Sequence, residues 1–300
     1  MEAQIRGVFC AAATPLDAKG EPDFSRFAAH VKQLIADGCD GVALLGTTGE
    51  ANSFSIDERQ HLLEAAINAG LAPSQLMPGT GLSAAPDTVT LTRHALSLGV
   101  TKVVMLPPFY YKQPSDDGIL AAYSSIIDKI ADNRLRIVLY HIPQMSAVPL
   151  SLSLIGRLIS KFPDTVVGIK DSSGDLANTE ALLREFPGFS VFPGADPLMR
   201  TLLDKGAAGC ITATSNLVGA ELATVFAHFA NPAKKSDVDA AQDRLTKVRA
   251  ISAKFVQIPA IKAMLARRYK NPAWAHVRPP LMALDESQIA GLGRLLDELG

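Results

Sequence analysis

The sequence predicts an α/β fold, a closed (β/α)8 TIM barrel followed by a small C-terminal helical appendage. Three observations carry it. Eight short apolar runs alternate with helical stretches across the first 220 or so of 300 residues. Glycines punctuate the points where a helix must turn into the next strand. The strand-like pattern stops after Leu222, and only helical periodicity follows.

The eight runs cover residues 7–13, 41–45, 75–78, 102–106, 136–140, 166–169, 190–192 and 209–212. Continuous apolar strands separated by helices belong to a parallel sheet covered on both faces. Eight such units in one chain favour a closed barrel over an open sheet. Ser55-Ile56-Asp57-Glu58 reads as a capping box that opens a helix through Ala69, with Gly70 after it. A second helical pattern runs from Pro86 to Leu98 and stops at Gly99. Gly38, Gly70, Gly99 and Gly206 each precede a strand, where a left-handed residue is needed. Beyond the barrel, helical stretches span 236–256, 259–268 and 286–299, with Pro259 and Asp285 as their start signals. The expected domains are a catalytic barrel, 1–225, and a helical domain, 226–300.

Composition narrows the function. A formal net charge of −1 argues against nucleic-acid or membrane-surface binding. Cys10, Cys39 and Cys210 are isolated among apolar residues, which suggests neither disulfides nor a zinc site. No signal-like segment and no 18-residue apolar run occurs, so a soluble cytoplasmic protein is expected. The six histidines are scattered, and only His141 falls near the expected site, so no metal is expected there.

The chemistry-bearing residues collect at strand ends, where barrels of this kind place their active sites. Lys170 ends the sixth run. Burial disfavours an ammonium and leaves an amine able to attack a carbonyl, although a strand-end lysine can equally reach for solvent. Gly46-Thr47-Thr48-Gly49-Glu50 follows the second run. Its glycines and hydroxyls suit either a carboxylate or phosphate nest or an ordinary turn, with Glu50 capping or pairing locally. Tyr140 ends the fifth run, and Tyr110 and Tyr111 follow the fourth. A phenol there either relays a proton or packs at the rim. The convergence of all four features on one end of one barrel favours the catalytic reading.

These motifs resemble the dihydrodipicolinate synthase and N-acetylneuraminate lyase family of pyruvate-dependent lyases. The resemblance runs through nearly the whole chain: Thr14-Pro15-Leu16-Asp17 with Gly20, the 46–50 loop, Tyr140-His141-Ile142-Pro143, and Gly168-Ile169-Lys170-Asp171-Ser172-Ser173-Gly174. It implies that Lys170 forms the Schiff base and that Tyr140 is the general acid/base. It also implies that Thr47 and Thr48, with Gly46, bind the keto-acid carboxylate, and that Thr47 joins the proton relay. Tyr111 would complete that relay across a subunit interface, and Gly194 and Ile211 would line the pocket. A homotetramer, a dimer of dimers, is implied, with no cofactor beyond the covalent imine on Lys170.

Departures from the family pattern bear on the substrate. Met145 stands where dihydrodipicolinate synthases place an arginine for aspartate semialdehyde, and methionine makes no bidentate carboxylate contact. Losing such a partner from a dry site costs about 2–5 kcal/mol. His141 replaces an asparagine. Ile56 and Arg59 replace feedback-binding histidines, so no inhibition by lysine is expected. The 170–174 run and Gln257-Ile258-Pro259-Ala260-Ile261-Lys262 look closer to members that cleave 4-hydroxy-2-oxo acids. The leading expectation is a metal-free class I aldolase that releases pyruvate and an aldehyde. The alternatives are a synthase using another cation, a keto-deoxy sugar acid dehydratase, and a non-catalytic keto-acid-binding barrel.

Overall fold

The computed structural model describes residues 4–300. Its ladder strands are β1 (Gly7–Cys10), β2 (Gly41–Val42), β3 (Lys102–Met105), β4 (Arg136–His141), β5 (Val166–Asp171), β6 (Ser190–Pro193) and β7 (Gly209–Thr212). They form two parallel sheets, ordered β2-β1-β7 and β3-β4-β5-β6. Two seams close these into a ring. At the first, the Ala208 amide donates to the Val191 carbonyl at 2.9 Å.

At the second seam, residues 76–79 lie between β2 and β3. The Met77 and Gly79 amides donate to Val42 and Leu44 at 2.9 and 2.8 Å, and the Val104 amide donates to Pro78 at 3.0 Å. This is the eighth stave of the barrel, but only as isolated bridges, Val42 to Leu76 and Gly79 to Val104. The expected full strand at 75–78 is therefore corrected. Pro78 has no N–H to give to a ladder. Pro73–Gln75 forms a 3-10 turn that takes Gln75 out of extended geometry.

Alternation along the strands sorts side chains into two layers. Phe9, Ala43, Val104, Val138, Tyr140, Phe192 and Ile211 belong to a cluster inside the barrel. Val8, Cys10, Ile137, Leu139 and Ile169 belong to the layer between barrel and helices. Ile169 packs outward, so its neighbour Lys170 is directed inward. The three cysteines are buried and unpaired, and burial pushes the Cys10 and Cys210 thiols up, which keeps them unreactive.

The helical stretches form as expected, at Ile56–Asn68 with its Ser55 capping box and at Ala85–Ser97. Gly38, Gly70, Gly99 and Gly206 all have positive φ. Helix Ser215–His228 runs through residue 225, and helices Lys235–Ser252, Gln257–Arg268 and Glu286–Leu299 follow it.

His30, on helix Phe24–Ala36, ties the barrel to the appendage. Its Nε2 donates to Asn216 Oδ1 at 2.9 Å, and its Nδ1 accepts from the Tyr269 hydroxyl at 2.9 Å. Asn216 uses its own amide on Ala11 and Ala213, which fixes the direction of the bond from His30. Burial holds the imidazole neutral, with its pKa down to about 4. The unfolded histidine takes a proton near pH 6.5 and the folded one does not. Stability should therefore fall as pH drops from 6.5 toward 4, by about 3 kcal/mol from this residue. Thermal unfolding across that range should show a steeper pH slope in wild type than in His30→Gln. Equal slopes would refute the assignment.

Candidate active site

The site begins with strand register. Tyr140 on β4 and Lys170 on β5 are Cα partners in adjacent parallel strands. Both face the barrel interior and are only 4 % and 5 % exposed. The Lys170 Nζ lies 4.3 Å from the centre of the Tyr140 ring. A lysine in this position is desolvated, and the solvent-reaching alternative does not hold.

The loop after β2 completes the cluster. The Thr47 Oγ1 and Tyr140 hydroxyl are 3.1 Å apart. The loop is held by its own backbone. Glu50 N–H donates to Thr47 O at 3.0 Å, and Thr14 Oγ1 donates to Gly49 O at 2.9 Å. A Cβ on Gly49 would lie 2.9 Å from the Ala12 carbonyl oxygen, so only glycine lets the loop pass so close to β1. Thr48 is buried beside it. Gly46, Thr47, Tyr140 and Lys170 line one cavity together with Arg59 and Asn52.

Lys170 is steadied from the next residue. Asp171 accepts hydrogen bonds from Thr179 Oγ1 at 2.7 Å, Asn178 Nδ2 at 2.9 Å and the Ser173 amide at 3.0 Å. The Gly194 amide donates to the Asp171 carbonyl at 2.8 Å. A Cβ on Gly194 would lie 2.2 Å from Ser172 Oγ and 3.1 Å from Ser172 Cα. Gly194→Ala should therefore lower stability by about 1–3 kcal/mol through overpacking. A thermal midpoint unchanged from wild type would show that this approach is relaxed in solution. Ile211 is fully buried on β7 within the inner cluster that includes Tyr140, and neither it nor Gly194 is among the residues lining the cavity.

Other expected residues lie apart from the cavity. Tyr111 is 78 % exposed and packs edge-on against Tyr110, with no contact to Lys170 within the chain. Met145 is 63 % exposed at the rim. His141 is buried, and its Nδ1 accepts the Leu150 amide at 3.1 Å. That bond pins the segment after helix Pro143–Ser146, and burial keeps the imidazole below its ordinary pKa. Neither Met145 nor His141 lines the cavity.

Glu50 does not cap or pair locally. It forms a fully buried ion pair with Lys262, at 2.5 Å, on helix Gln257–Arg268. Its second carboxylate oxygen accepts the Arg278 amide at 3.1 Å. The sequence signal was available: Lys262 interrupts the apolar series Ala260, Ile261, Met264 and Leu265. Arg59 was also missed as a lining residue. It is 2 % exposed, its Nη2 donates to the Gly79 carbonyl at 2.8 Å, and its Nε and Nη1 have no partner among the described residues.

Residues 4–299 match the model of the Dihydrodipicolinate synthetase family. An uncharacterized DapA-like lyase of Chloroflexus aurantiacus is 37 % identical over 97 % of this chain and 95 % of its own. The 4-hydroxy-tetrahydrodipicolinate synthase of Bacillus subtilis is 28 % identical over 95 % and 96 %. Among solved structures, the dihydrodipicolinate synthase of Agrobacterium tumefaciens superposes with a TM-score of 0.89 at 31 % identity, covering 97 % of this chain and 99 % of its own. YagE, a prophage protein of E. coli K12 solved in complex with pyruvate, gives 0.90 at 25 % identity, covering 99 % of each chain.

Proposed function

The chain belongs to the Dihydrodipicolinate synthetase family and is a carbon–carbon lyase, and from that premise we propose a class I aldolase that cleaves a 4-hydroxy-2-oxo acid through an imine on Lys170. The observation that carries this reading is the inward-facing, buried Lys170 held by strand register beside Tyr140.

The residues divide the chemistry as follows. The Lys170 amine attacks C2 of the keto acid, and loss of water leaves an iminium. Thr47 and Thr48, with the Gly46 backbone, hold the carboxylate. Tyr140 takes the proton of the C4 hydroxyl, the C3–C4 bond breaks, and its electrons flow into the iminium to give an enamine. The aldehyde departs. The enamine is protonated at C3, and water then releases pyruvate from Lys170. The iminium is the electron sink, so the reaction calls for no metal and no cofactor. Thr47, bonded to Tyr140, passes the proton on, and Tyr111 extends that relay from a neighbouring subunit of a homotetramer. Its exposed position fits a residue completed by a partner rather than by its own chain. Gly194 buttresses the Lys170–Asp171 backbone and Ile211 packs in the inner cluster with Tyr140, while Met145 at the rim bears on the aldehyde half. Residues 1–225 act as the catalytic domain and 226–300 as a supporting one, in a cytoplasmic enzyme. Among the described residues, no helix is long and apolar enough to cross a membrane.

The substrate follows from what the rim lacks. Met145 gives an aldehyde carboxylate nothing to grip, which favours 2-keto-3-deoxy sugar acids, whose aldehyde half is uncharged, over aspartate semialdehyde. 4-Hydroxy-2-oxoglutarate, whose aldehyde half keeps a carboxylate, stays in the assay panel. A synthase acting on aspartate semialdehyde is the second reading, favoured by similarity to relatives such as the 4-hydroxy-tetrahydrodipicolinate synthase of Bacillus subtilis. Arg59, a buried cation in the same cavity with two nitrogens unpartnered among the described residues, is the group such a synthase would use in place of the missing arginine. Two assays test the function. Borohydride added with pyruvate should attach one reduced pyruvate to Lys170. A panel of 4-hydroxy-2-oxo acids, scored for pyruvate release against aspartate-semialdehyde condensation, should favour cleavage. No adduct on Lys170 would end the imine reading, and faster condensation would end the aldolase one.

A further inference from the structure

Resting on the imine reading above, we propose that the buried Glu50–Lys262 pair is a positioning device: it holds the Thr47 hydroxyl against Tyr140 and so sets the proton transfer at Lys170. Neither residue lines the cavity. They act from behind the loop.

The geometry runs in three links. First, Lys262 and Glu50 meet at 2.5 Å with both side chains fully buried, across 212 residues of sequence. Burying two charges is expensive, and such pairs seldom stabilise a fold more than an apolar pair would. What a pair of this kind does supply is a fixed direction and distance. Second, Glu50 stands in the left-handed region, at φ 55°, where a residue with a Cβ is held only by its surroundings. Those surroundings are the appendage: Lys262 on one carboxylate oxygen and the Arg278 amide on the other. Arg278 also donates to Ser53 O at 2.8 Å and to Gly20 O at 2.7 Å, which brackets the loop on its far side. Third, Glu50 N–H is bonded to Thr47 O, so a shift of Glu50 is passed to Thr47 through one short turn. Thr47 Oγ1 then meets Tyr140 at 3.1 Å. Burial lowers the pKa of Lys262, while Glu50 favours its charged form.

The test uses pyruvate alone, so it does not depend on the unidentified aldehyde. An enzyme-bound enamine exchanges the methyl hydrogens of pyruvate for deuterium, and proton NMR follows the rate. Lys262→Met should slow exchange at saturating pyruvate by about 10–100-fold, within the range of a misaligned proton relay. Borohydride should still trap pyruvate on Lys170. Thr47→Val should cause a similar loss. Combined, the two should cost less than about twofold beyond Thr47→Val alone, because the pair acts through Thr47. Glu50→Gln, which keeps a side-chain acceptor for the Arg278 amide, should repeat this non-additivity and serves if Lys262→Met fails to fold. Multiplying losses, or an unchanged exchange rate in folded variants, would overturn the proposal. Absence of the trapped adduct in wild type would instead overturn the imine reading.

Discussion

Lys170→Ala should lower turnover by about 10⁴-fold or more, equivalent to about 5 kcal/mol or more of barrier. The whole covalent route begins with this amine, and Lys170 is the one lysine among the residues that line the cavity. A water molecule in its place gives no iminium and therefore no electron sink for the breaking C3–C4 bond. The loss should not come from unfolding. A polar amine at 5 % exposure is costly to bury, and alanine removes that cost while leaving a modest void. Pyruvate release, intact-protein mass after borohydride, and thermal unfolding together check this. A variant with more than about a hundredth of wild-type turnover would mean that another group carries the reaction.

Tyr140→Phe should lower turnover by about 10²–10⁴-fold, the span that a positioned acid/base contributes. It should leave the imine trappable. The ring survives, so its packing against the Lys170 Nζ and against the inner cluster survives with it. The hydroxyl and its contact with Thr47 are lost. Stability should change by about 1 kcal/mol, the worth of one hydrogen bond. Deuterium exchange into pyruvate should fall together with aldol cleavage, since both need the same proton carrier. If cleavage fell and exchange did not, Tyr140 would serve the aldehyde alone.

The sequence made the barrel and its reactive end legible because both depend on local pattern. Apolar runs and left-handed glycines located the staves, and the parity between Ile169 and Lys170 follows from strand periodicity. Family motifs then brought Tyr140, Thr47 and Lys170 together by resemblance. What the sequence hid was pairing at long range. Glu50 looked local because its partner, Lys262, lies 212 positions away. His141 looked like a specificity residue, and it is a buried acceptor for the Leu150 amide. The run at 75–78 read as an ordinary strand because its place in the alternating pattern outweighed Pro78, whose missing N–H was the signal against it. Tyr111 carries no contact to the site within one chain, and a single sequence holds no record of its neighbours in an assembly.

The pairing of Tyr140 with Lys170 across β4 and β5 has a wider consequence. Their spacing is set by main-chain hydrogen bonds and not by side-chain packing, so it is insensitive to most changes elsewhere. Met145, by contrast, hangs free on the rim. Bond-breaking machinery and substrate choice therefore sit on parts of the molecule with different tolerance for change. A lineage can trade one aldehyde for another by altering exposed rim residues while the reactive centre stays intact. An engineer seeking a new carbon–carbon bond from this scaffold should vary position 145 and its neighbours first and leave the two strands untouched.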